Sequence, residues 1–500
     1  MIFKEALSLA VDYKATRRLV LSFNAIYTYV EGEFWNRNFT FVAANSNANV
    51  NNGRSRVGGD GLLTVSTNRA SNNTVPAVNN GGGTSAAETL TRTFSPKFEY
   101  KLDRVTVDGT FAFSRSVNKY VSLNRGFSRA EALALPIDWV ATRPRLDSHE
   151  WTIRQTSGPD PFELRNYTGG TRVESTDSQW VTEIWSGQTN ARWVVPFLRN
   201  FPTVVKVGGK WNEESRKNNN ITPWNLWRYL GPGGDLLTGY NATTGQPNFT
   251  TNGSWANLGY VAPHPFETGT TNGLTFFSSA GVKGNLPRAD RLRIGQLFLA
   301  QPELFVRAAT PDNYYNSFVA NKRDFRQTVT AGFGQADVNV TRQLTLRGGL
   351  RIEETKNRFM EFDPRFRSEI IAAGYPTNAA GRATSYAGLQ YQYFSQPRVA
   401  RTSEYYNVFP SLLAKYRIAP NFEFQAGANK AISRPPIDSL TGLWNIMEDV
   451  QRVNSPNANL KPEYSNNYQA RLAYYFGNKA PGQLTVAVSQ NAITNLRETF

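Results

Sequence analysis

The segment Leu344-Thr-Leu-Arg-Gly-Gly-Leu-Arg-Ile352 changes character at every position. Its even positions carry leucine, glycine and isoleucine, whereas its odd positions carry threonine, arginine and glycine and lead to Glu353. Successive side chains of a β-strand point to opposite faces, so this strand has one apolar face and one charged face. Faces of such different polarity indicate that the strand separates two different solvents.

The same period of two recurs along the chain. The other segments that show it are Leu7–Tyr13, Leu19–Tyr27, Val408–Ile418, Phe422–Ala428, Tyr468–Phe476 and Leu484–Val488. Short turns are predicted near Ala15–Arg18, Asp103–Arg104, Arg199–Phe201, Thr341–Gln343, Ala419–Asn421 and Gly477–Gly482. Strands of this kind, paired across short turns, predict about twelve antiparallel strands in six hairpins.

Long polar stretches separate the predicted hairpins. They cover Glu31–Leu90, Ser116–Asp177, Glu214–Asn321, Lys356–Ser403 and Ser433–Glu463. The Asn-rich segment Asn36–Asn52 and the Gly-rich segment Asn79–Ser85 within them are predicted to be mobile loops. Short connections at one end of a sheet and long ones at the other are typical of outer-membrane β-barrels. Soluble sandwiches and propellers also alternate, but they usually keep both sets of connections short.

Composition excludes several classes of site. The chain has 500 residues, no cysteine, and 55 Lys and Arg against 39 Asp and Glu, which gives a formal charge of +16. Without cysteine there is no disulfide scaffold, zinc finger, iron–sulfur cluster or thiol nucleophile. The two histidines, His149 and His264, lie far apart, so a histidine metal site is not expected. No apolar run approaches the ~18 residues of a transmembrane helix.

Nothing in the sequence indicates catalysis. Phosphate-binding loops, nucleophile elbows and zinc-protease motifs do not occur in it. The acidic pairs Glu353-Glu354 and Glu213-Glu214 are expected at strand ends, where adjacent side chains point to opposite faces and cannot share a substrate. We therefore predict no enzyme activity, no catalytic or metal-binding residue and no cofactor.

The C-terminal part resembles the barrel of TonB-dependent receptors, which are outer-membrane β-barrels. The resemblance rests on Tyr406-Asn-Val-Phe-Pro-Ser-Leu412, Ile432-Ser-Arg-Pro435, Asn457-Ala-Asn-Leu-Lys-Pro-Glu463 and Gly349-Leu-Arg-Ile-Glu353. It implies an all-β fold, an antiparallel transmembrane β-barrel of the 22-stranded type that is plugged by an N-terminal domain. It further implies a location in the bacterial outer membrane and active uptake driven through the TonB complex.

Residues 1–500 are accordingly interpreted as one partial TonB-dependent receptor β-barrel domain. The signal peptide, the plug domain and the last strands are expected to be absent from this piece. About twelve strands would leave two unpaired edges in lipid, where each unsatisfied backbone group costs several kcal/mol. The 500-residue piece expressed alone is therefore expected to aggregate or to fail to insert.

The expected function is TonB-dependent uptake of a scarce solute, either a ferric siderophore or an oligosaccharide. A passive outer-membrane porin shares every strand-level feature and remains an alternative, and a secreted carbohydrate-binding β-protein is a third. The expected partners are outer-membrane lipid, a small-molecule ligand, and the TonB complex through the missing plug region. Nucleic acid is not an expected partner, because the basic residues form no clustered helix or recognition motif.

Three groups of residues are candidates for functional roles. The basic residues predicted to face the lumen, where they attract anionic solutes or pair with acids of the plug, are Arg347, Arg351, Lys415, Arg417 and Arg471. The loop aromatics that could stack on a ligand, or pack between loops, are Trp224, Trp227, Tyr229 and Trp255. The family-motif residues, for which a structural role is preferred, are Arg434, Pro435, Asn457, Leu460, Pro462 and Glu463.

Overall fold

A computed structural model gives the fold of most of the chain. It describes residues 2–42, 56–68, 78–130, 133–175, 177–196, 198, 200–219, 226–242, 244–261, 266–267, 274–440, 445–447, 452–454, 457, 459–477 and 481–496. The residues 43–52 of the Asn-rich segment lie outside these ranges, as does Trp224.

Twelve long strands form one antiparallel sheet, which confirms the predicted fold class. They are β1 (Ile2–Lys14), β2 (Leu19–Phe41), β3 (Val78–Leu102), β4 (Val105–Tyr120), β5 (Ser178–Val195), β6 (Thr203–Asn219), β7 (Asp324–Asn339), β8 (Leu344–Glu361), β9 (Val399–Ala419), β10 (Phe422–Ser433), β11 (Glu463–Phe476) and β12 (Gly482–Thr494). Each strand pairs antiparallel with the next along the chain. Within the described ranges, β1 is paired on one side only, by β2, and β12 on one side only, by β11.

Short turns join strands at four of the predicted places, namely Ala15–Arg18, Asp103–Arg104, Thr341–Gln343 and Ala419–Asn421. The predicted turns Arg199–Phe201 and Gly477–Gly482 lie partly outside the described residues. The described connections between β3 and β4 and between β9 and β10 have only two residues each, Asp103 and Arg104 in the first and Pro420 and Asn421 in the second. Asp103 takes a positive φ of 47°, which aspartate tolerates better than most residues. A two-residue connection fixes the register of the hairpin, and with it the face on which every side chain of both strands lies.

Strand pairing extends well into the stretches predicted to be loops. β2 continues to Phe41 and β3 begins at Val78, so the prediction of a mobile loop over Asn79–Ser85 is wrong. The carbonyls of Asn80 and Gly82 accept hydrogen bonds from the guanidinium of Arg291, at 2.9 and 2.7 Å, which holds this Gly-rich segment against the loop above it. The pairs Glu353-Glu354 and Glu213-Glu214 likewise lie inside β8 and β6 rather than at their ends.

The long connections contain small folded units. Their helices are α1 (Arg291–Ala300), α2 (Pro311–Tyr315), α3 (Arg367–Ala372), α4 (Tyr386–Phe394) and α5 (Ile437–Leu440), with shorter helical turns at Leu123–Arg125, Leu164–Asn166, Pro302–Leu304 and Asn316–Ala320. Their short strands are Arg56–Gly58, Thr64–Asn68, Arg129–Ala130, Leu133–Leu135, Asp138–Thr142, Trp151–Ser157, Arg172–Glu174, Leu226–Tyr229, Leu236–Tyr240, Pro247–Thr250, Phe266–Glu267, Leu274–Phe277, Asn285–Leu286, Phe305–Arg307, Asn445–Met447 and Arg452–Asn454. None of the described helices is both long and apolar enough to cross a membrane.

Buried side chains lie mostly between these connections and on one face of the sheet. On β8 the even residues Leu350 and Ile352 are about half exposed, at 47% and 50%. On its opposite face Thr355, Asn357 and Glu361 are buried. We call the buried, polar face the inner face and the exposed, apolar face the outer face. The apolar residues of the sheet thus lie where lipid contacts a barrel.

Adjacent residues of β9 offer a test of the two faces. Leu412 lies on the outer face and Ser411 on the inner face, where its hydroxyl donates to the Gly349 carbonyl. A charge at mid-depth on the lipid face costs about 2–4 kcal/mol. Leu412→Arg is therefore expected to lower the free energy of unfolding in lipid vesicles by about that amount, and Ser411→Arg by less than about 1 kcal/mol. Equal losses in urea titrations would contradict the assignment of the faces.

The stability of the loop core around α4 is expected to depend on pH. Burial raises the pKa of the Tyr386 phenol to about 12 and also raises that of Tyr393. A folded-state pKa above the unfolded one favours folding at low pH, so this contribution is complete below about pH 10 and is lost as the pH rises towards 12. We expect Tyr386 to ionise in an alkaline absorbance titration together with loosening of this loop. Tyr386→Phe should remove the part of that titration near pH 12, while tyrosines whose pKa is raised further, such as Tyr393, still titrate later.

Candidate functional site

A carboxylate on the inner face of β8 is held by two guanidinium groups. Arg351 Nε lies 2.6 Å from one oxygen of Glu353, and an Arg434 terminal nitrogen lies 2.6 Å from the other. The same Arg434 nitrogen is 3.5 Å from the Thr355 hydroxyl. The Glu353 side chain is 11% exposed, so the paired charges are largely shielded from water. Charge-assisted hydrogen bonds of this kind fix the positions of all three groups.

The local sequence explains this arrangement. Arg351 and Glu353 are two residues apart on one strand, so both side chains lie on the inner face. Arg434 follows the last residue of β10, and the buried Pro435 behind it cannot donate to the ladder, so the strand ends there. The motif Ile432-Ser-Arg-Pro435 thereby turns its arginine back across the sheet onto β8.

Polar groups next to this carboxylate still have hydrogen-bonding capacity. Asn407 pairs with Glu353 across the ladder, and its side-chain amide nitrogen is buried without a hydrogen-bond partner. The Nε of Arg434 is likewise buried without one. Buried donors without partners are uncommon in folded proteins. These two donors make this part of the inner face a site that can bind an oxygen-rich group, such as a carboxylate or a hydroxyl.

Further along β8, towards the long connections, the polar layer continues. The Gln327 side-chain amide donates to the Asn357 side-chain oxygen at 2.8 Å, and the Asn357 side-chain nitrogen is 3.1 Å from the Ser403 hydroxyl. Beyond them Arg401 lies 2.8 Å from the buried Glu361. This layer joins three strands through side chains as well as through the backbone, which makes the inner wall rigid here.

The remaining motif residues pack or close turns. Leu460 packs against the buried Phe325, Phe359 and Leu440. The Asn457 side chain accepts a hydrogen bond from the Asn459 backbone at 3.0 Å. Pro462 is buried immediately before Glu463, the first residue of β11. These contacts join the connection after β10 to the ends of β7 and β8.

The basic residues predicted for the lumen lie on the inner face, but most of their charge is balanced. Arg347 forms an ion pair with Asp337, and Lys415 lies 2.7 Å from Glu423. In the ladder Lys415 is opposite Gln425, which is opposite Arg471. Arg417 is exposed and lies opposite Glu423, next to a shift of register. Because the inner face carries its own acidic residues, it attracts anions less strongly than its number of arginines and lysines suggests.

The loop aromatics belong to a packed core. Trp227, Tyr229 and Trp255 are 8%, 5% and 0% exposed. The rings of Tyr229 and Trp255 stack with centroids 5.4 Å apart, and the Trp227 and Phe298 centroids are 5.0 Å apart. Because their faces are covered by other rings, these three side chains pack between loops in this conformation and present no surface for a ligand to stack on.

Acidic pairs and metal clusters do not add a reactive centre. Glu354 lies on the outer face, 2.8 Å from Lys356, whereas Glu353 faces inward. The two carboxylates therefore cannot act on one substrate. Among the residues that the structure describes, no group of three His, Asp or Glu side chains could hold a metal ion.

Residues that the sequence did not single out complete the site. Thr355, Asn407 and the Glu361–Arg401 pair all lie on the inner face of β8 or β9. The alternation already places Thr355 and Asn407 on the same face as Glu353. The missing information was their burial, because it depends on the chain segment after β10 that covers this end of the sheet.

Glu353 and Arg434 should show a measurable coupling in the free energy of unfolding. Charged hydrogen bonds contribute about 1.5–3 kcal/mol each, so the double-mutant cycle of Glu353→Gln and Arg434→Gln should yield a coupling energy of about that size. The measurement is the free energy of unfolding of the four proteins in vesicles. The matched pair Arg165→Gln and Glu163→Gln, which is exposed and 3.4 Å apart, should couple by less than about 1 kcal/mol. Equal coupling in the two cycles would contradict the role of Glu353.

Comparison with known proteins places the chain in a family. Residues 211–499 match the family described as TonB dependent receptor-like, beta-barrel. Comparison with curated proteins gives no match. Solved structures that match this chain include the ferric-catecholate import receptor Fiu from E. coli K12 (14% identity, TM-score 0.49, 99% of this chain and 52% of that chain). The siderophore receptor PiuA from Acinetobacter baumannii (10%, 0.39, 98% and 52%) and the ferric citrate transporter FecA (8%, 0.37, 98% and 49%) are further examples.

The chain thus spans about half the length of these solved receptors. The family match covers more than half of the chain and agrees with the motifs at Ile432–Pro435 and Asn457–Glu463. The family consists of transporters of the bacterial outer membrane, which confirms the expected location. The chain belongs to the TonB-dependent receptors, as part of their β-barrel.

Proposed function

We propose that the protein takes up a scarce solute across the bacterial outer membrane by TonB-dependent active transport. The observation that carries the proposal is the family match over residues 211–499. Residues 1–500 would supply part of the barrel wall, as one partial receptor domain. The plug and the segment that contacts TonB would lie elsewhere in the polypeptide.

The inner face supports this proposal. A receptor wall must stay in place while the plug is remodelled, and side-chain links such as Gln327–Asn357–Ser403 hold adjacent strands together. The solute would reach the inner face from the long connections. There the Asn407 amide and the Arg434 guanidinium could receive oxygen atoms of the solute or of the plug. TonB, driven by the proton gradient of the inner membrane, would then open the path.

Two solute classes fit, namely ferric siderophores and oligosaccharides. Trp227 and Trp255 do not favour a sugar by stacking, because both rings are covered. The basic lumen residues do not favour an anionic chelate either, because Arg347, Arg351 and Lys415 have acidic partners. The Asn407 side-chain N–H can donate to carboxylate and hydroxyl oxygens alike. We therefore retain both classes in the proposal.

Uptake assays test the proposal. A host that lacks its own receptors would express the natural polypeptide and receive a panel of iron-55 siderophores and labelled oligosaccharides. We expect one class to accumulate, and accumulation to stop in a host without TonB or after a protonophore is added. Arg434→Gln should lower accumulation about tenfold if it loses one charge-assisted contact to solute or plug.

The uptake assay has a control variant and two outcomes that would contradict the proposal. Arg165→Gln, which removes an exposed loop arginine, should leave accumulation unchanged. Accumulation that persists without TonB and falls with solute size would identify a passive porin instead. Failure of both solute classes to accumulate in a host with intact TonB would overturn the proposed substrates.

A further inference from the structure

Six side chains form one continuous cross-strand row on the outer face. Register places Arg92 opposite Arg115, Arg115 opposite Glu183, and Glu183 opposite Ser215. Ser215 is opposite Arg326, and Arg326 is opposite Arg358. We call Arg92, Arg115, Glu183, Ser215, Arg326 and Arg358 the arginine row. It crosses the six strands from β3 to β8 and contains four cations and one anion.

The charges of this row are not balanced by the described part of the protein. Arg115 lies 2.8 Å from Glu183, and Arg326 lies 3.4 Å from Glu213. The side chains of Arg92 and Arg358, both exposed, make no hydrogen bond or ion pair with any described residue.

Each of these free cations directly opposes another arginine in the ladder, Arg92 facing Arg115 and Arg358 facing Arg326. Like charges directly opposed across a β-ladder are destabilising. An anion bound between the two guanidinium groups of each pair would reverse this effect. The two arginine pairs are therefore predisposed to hold anions from outside the chain.

The row begins at the edge of the apolar band. Phe94, Phe113 and Trp185 form the adjacent row on the turn side, and the Phe113 and Trp185 ring centroids are 4.1 Å apart. Aromatic rings at this level are typical of the membrane interface. Because barrel strands tilt, a cross-strand row rises through the membrane surface, and Arg358 lies six residues beyond Ile352 on the same face. The anions must therefore come from the headgroup layer.

A groove lies in the apolar band directly below the aromatic rings. It has a volume of about 670 Å³, and its lining includes Leu21, Phe98, Phe111, Gly187 and Trp211. Register assigns these side chains to the two outer rows next to Phe94, Phe113 and Trp185. At Gly187 the nearest atom to an added Cβ would be 3.9 Å away, so the missing side chain leaves this depression open. A lipid-facing groove of this kind fits an acyl chain.

We propose that the arginine row and this groove together bind one anionic, phosphate-bearing lipid of the outer leaflet. Arg115 and Arg326 are three strand spacings apart, or about 14 Å, so the two arginine pairs fit two phosphates of an acylated, diphosphorylated saccharide. Arginine recognises phosphate through paired N–H donors, and the groove takes an acyl chain. The site lies on the wall opposite to the inner face, so it is independent of the transported solute.

Binding of diphosphorylated lipid A to the natural polypeptide in nonionic detergent tests the proposal. Arg92→Gln and Arg358→Gln should each weaken binding about tenfold, since each removes one charge-assisted contact. Gly187→Leu keeps all charges but fills the groove, and it should weaken binding of the acylated probe. The matched control Arg145→Gln/Arg165→Gln removes two exposed loop arginines that pair with Asp147 and Glu163, and it should bind normally.

Two further probes separate the sources of the anion. Dephosphorylated lipid A should bind at least tenfold more weakly than the diphosphorylated form, and inorganic phosphate should not displace the lipid. Displacement by inorganic phosphate, or equal binding of both lipid forms, would overturn the proposal. Unchanged binding by the Arg92→Gln/Arg358→Gln protein, or an equal loss in the loop control, would overturn it as well. Because no transport is measured, these outcomes do not depend on uptake.

Discussion

The structure depends on the requirement that every backbone polar group be paired where water is absent. In a hydrocarbon layer a strand can meet this requirement only through its neighbours, which forces long antiparallel ladders. Among the described residues, β2 to β11 meet it on both sides through eleven successive pairings, and the two-residue turn at Asp103–Arg104 allows no slip of register. Once register is fixed, one ladder row places side chains on strands far apart in sequence side by side. Arg92 and Arg358 belong to one outer row for this reason alone.

The sequence predicted the wall because the wall separates two solvents. Leu344–Ile352 alternates as long as one face meets lipid and the other meets polar groups. Seven strands were predicted from that pattern, and the short turns between strands raised the predicted number to about twelve. The pattern disappears where both faces meet water or protein. β2 and β3 continue through such a zone to Phe41 and from Val78, and their asparagines and glycines were predicted to be loop. There the backbone ladder and the contact from Arg291 stabilise the strand, and neither leaves a periodic trace in the sequence.

The candidate site was predictable in its components but not in its assembly. Alternation places Arg351 and Glu353 on one face, and the family motif draws attention to Arg434. Their meeting depends on how the chain turns after β10, over a separation of 81 residues from Glu353 to Arg434. Predictions from loop composition also fail where burial decides the role of a side chain. Trp227 and Trp255 look like ligand contacts in an Asn-rich loop, yet 8% and 0% exposure shows that they support the loop instead. Whether an aromatic residue packs or binds depends on tertiary neighbours.

The balance of charge differs between the two faces of the wall. A formal charge of +16 suggested a positive lumen, but at Arg347, Arg351 and Lys415 an acidic side chain lies beside each cation. Acids inside the wall are reasonable, since a cation buried there without a partner would be costly. On the outer wall the opposite holds, because the headgroup layer can itself supply anions. Arg92 and Arg358 can remain without acidic partners there, beside other arginines. Part of the excess of positive charge then lies on the surface that faces the lipid headgroups rather than along the path that a solute follows.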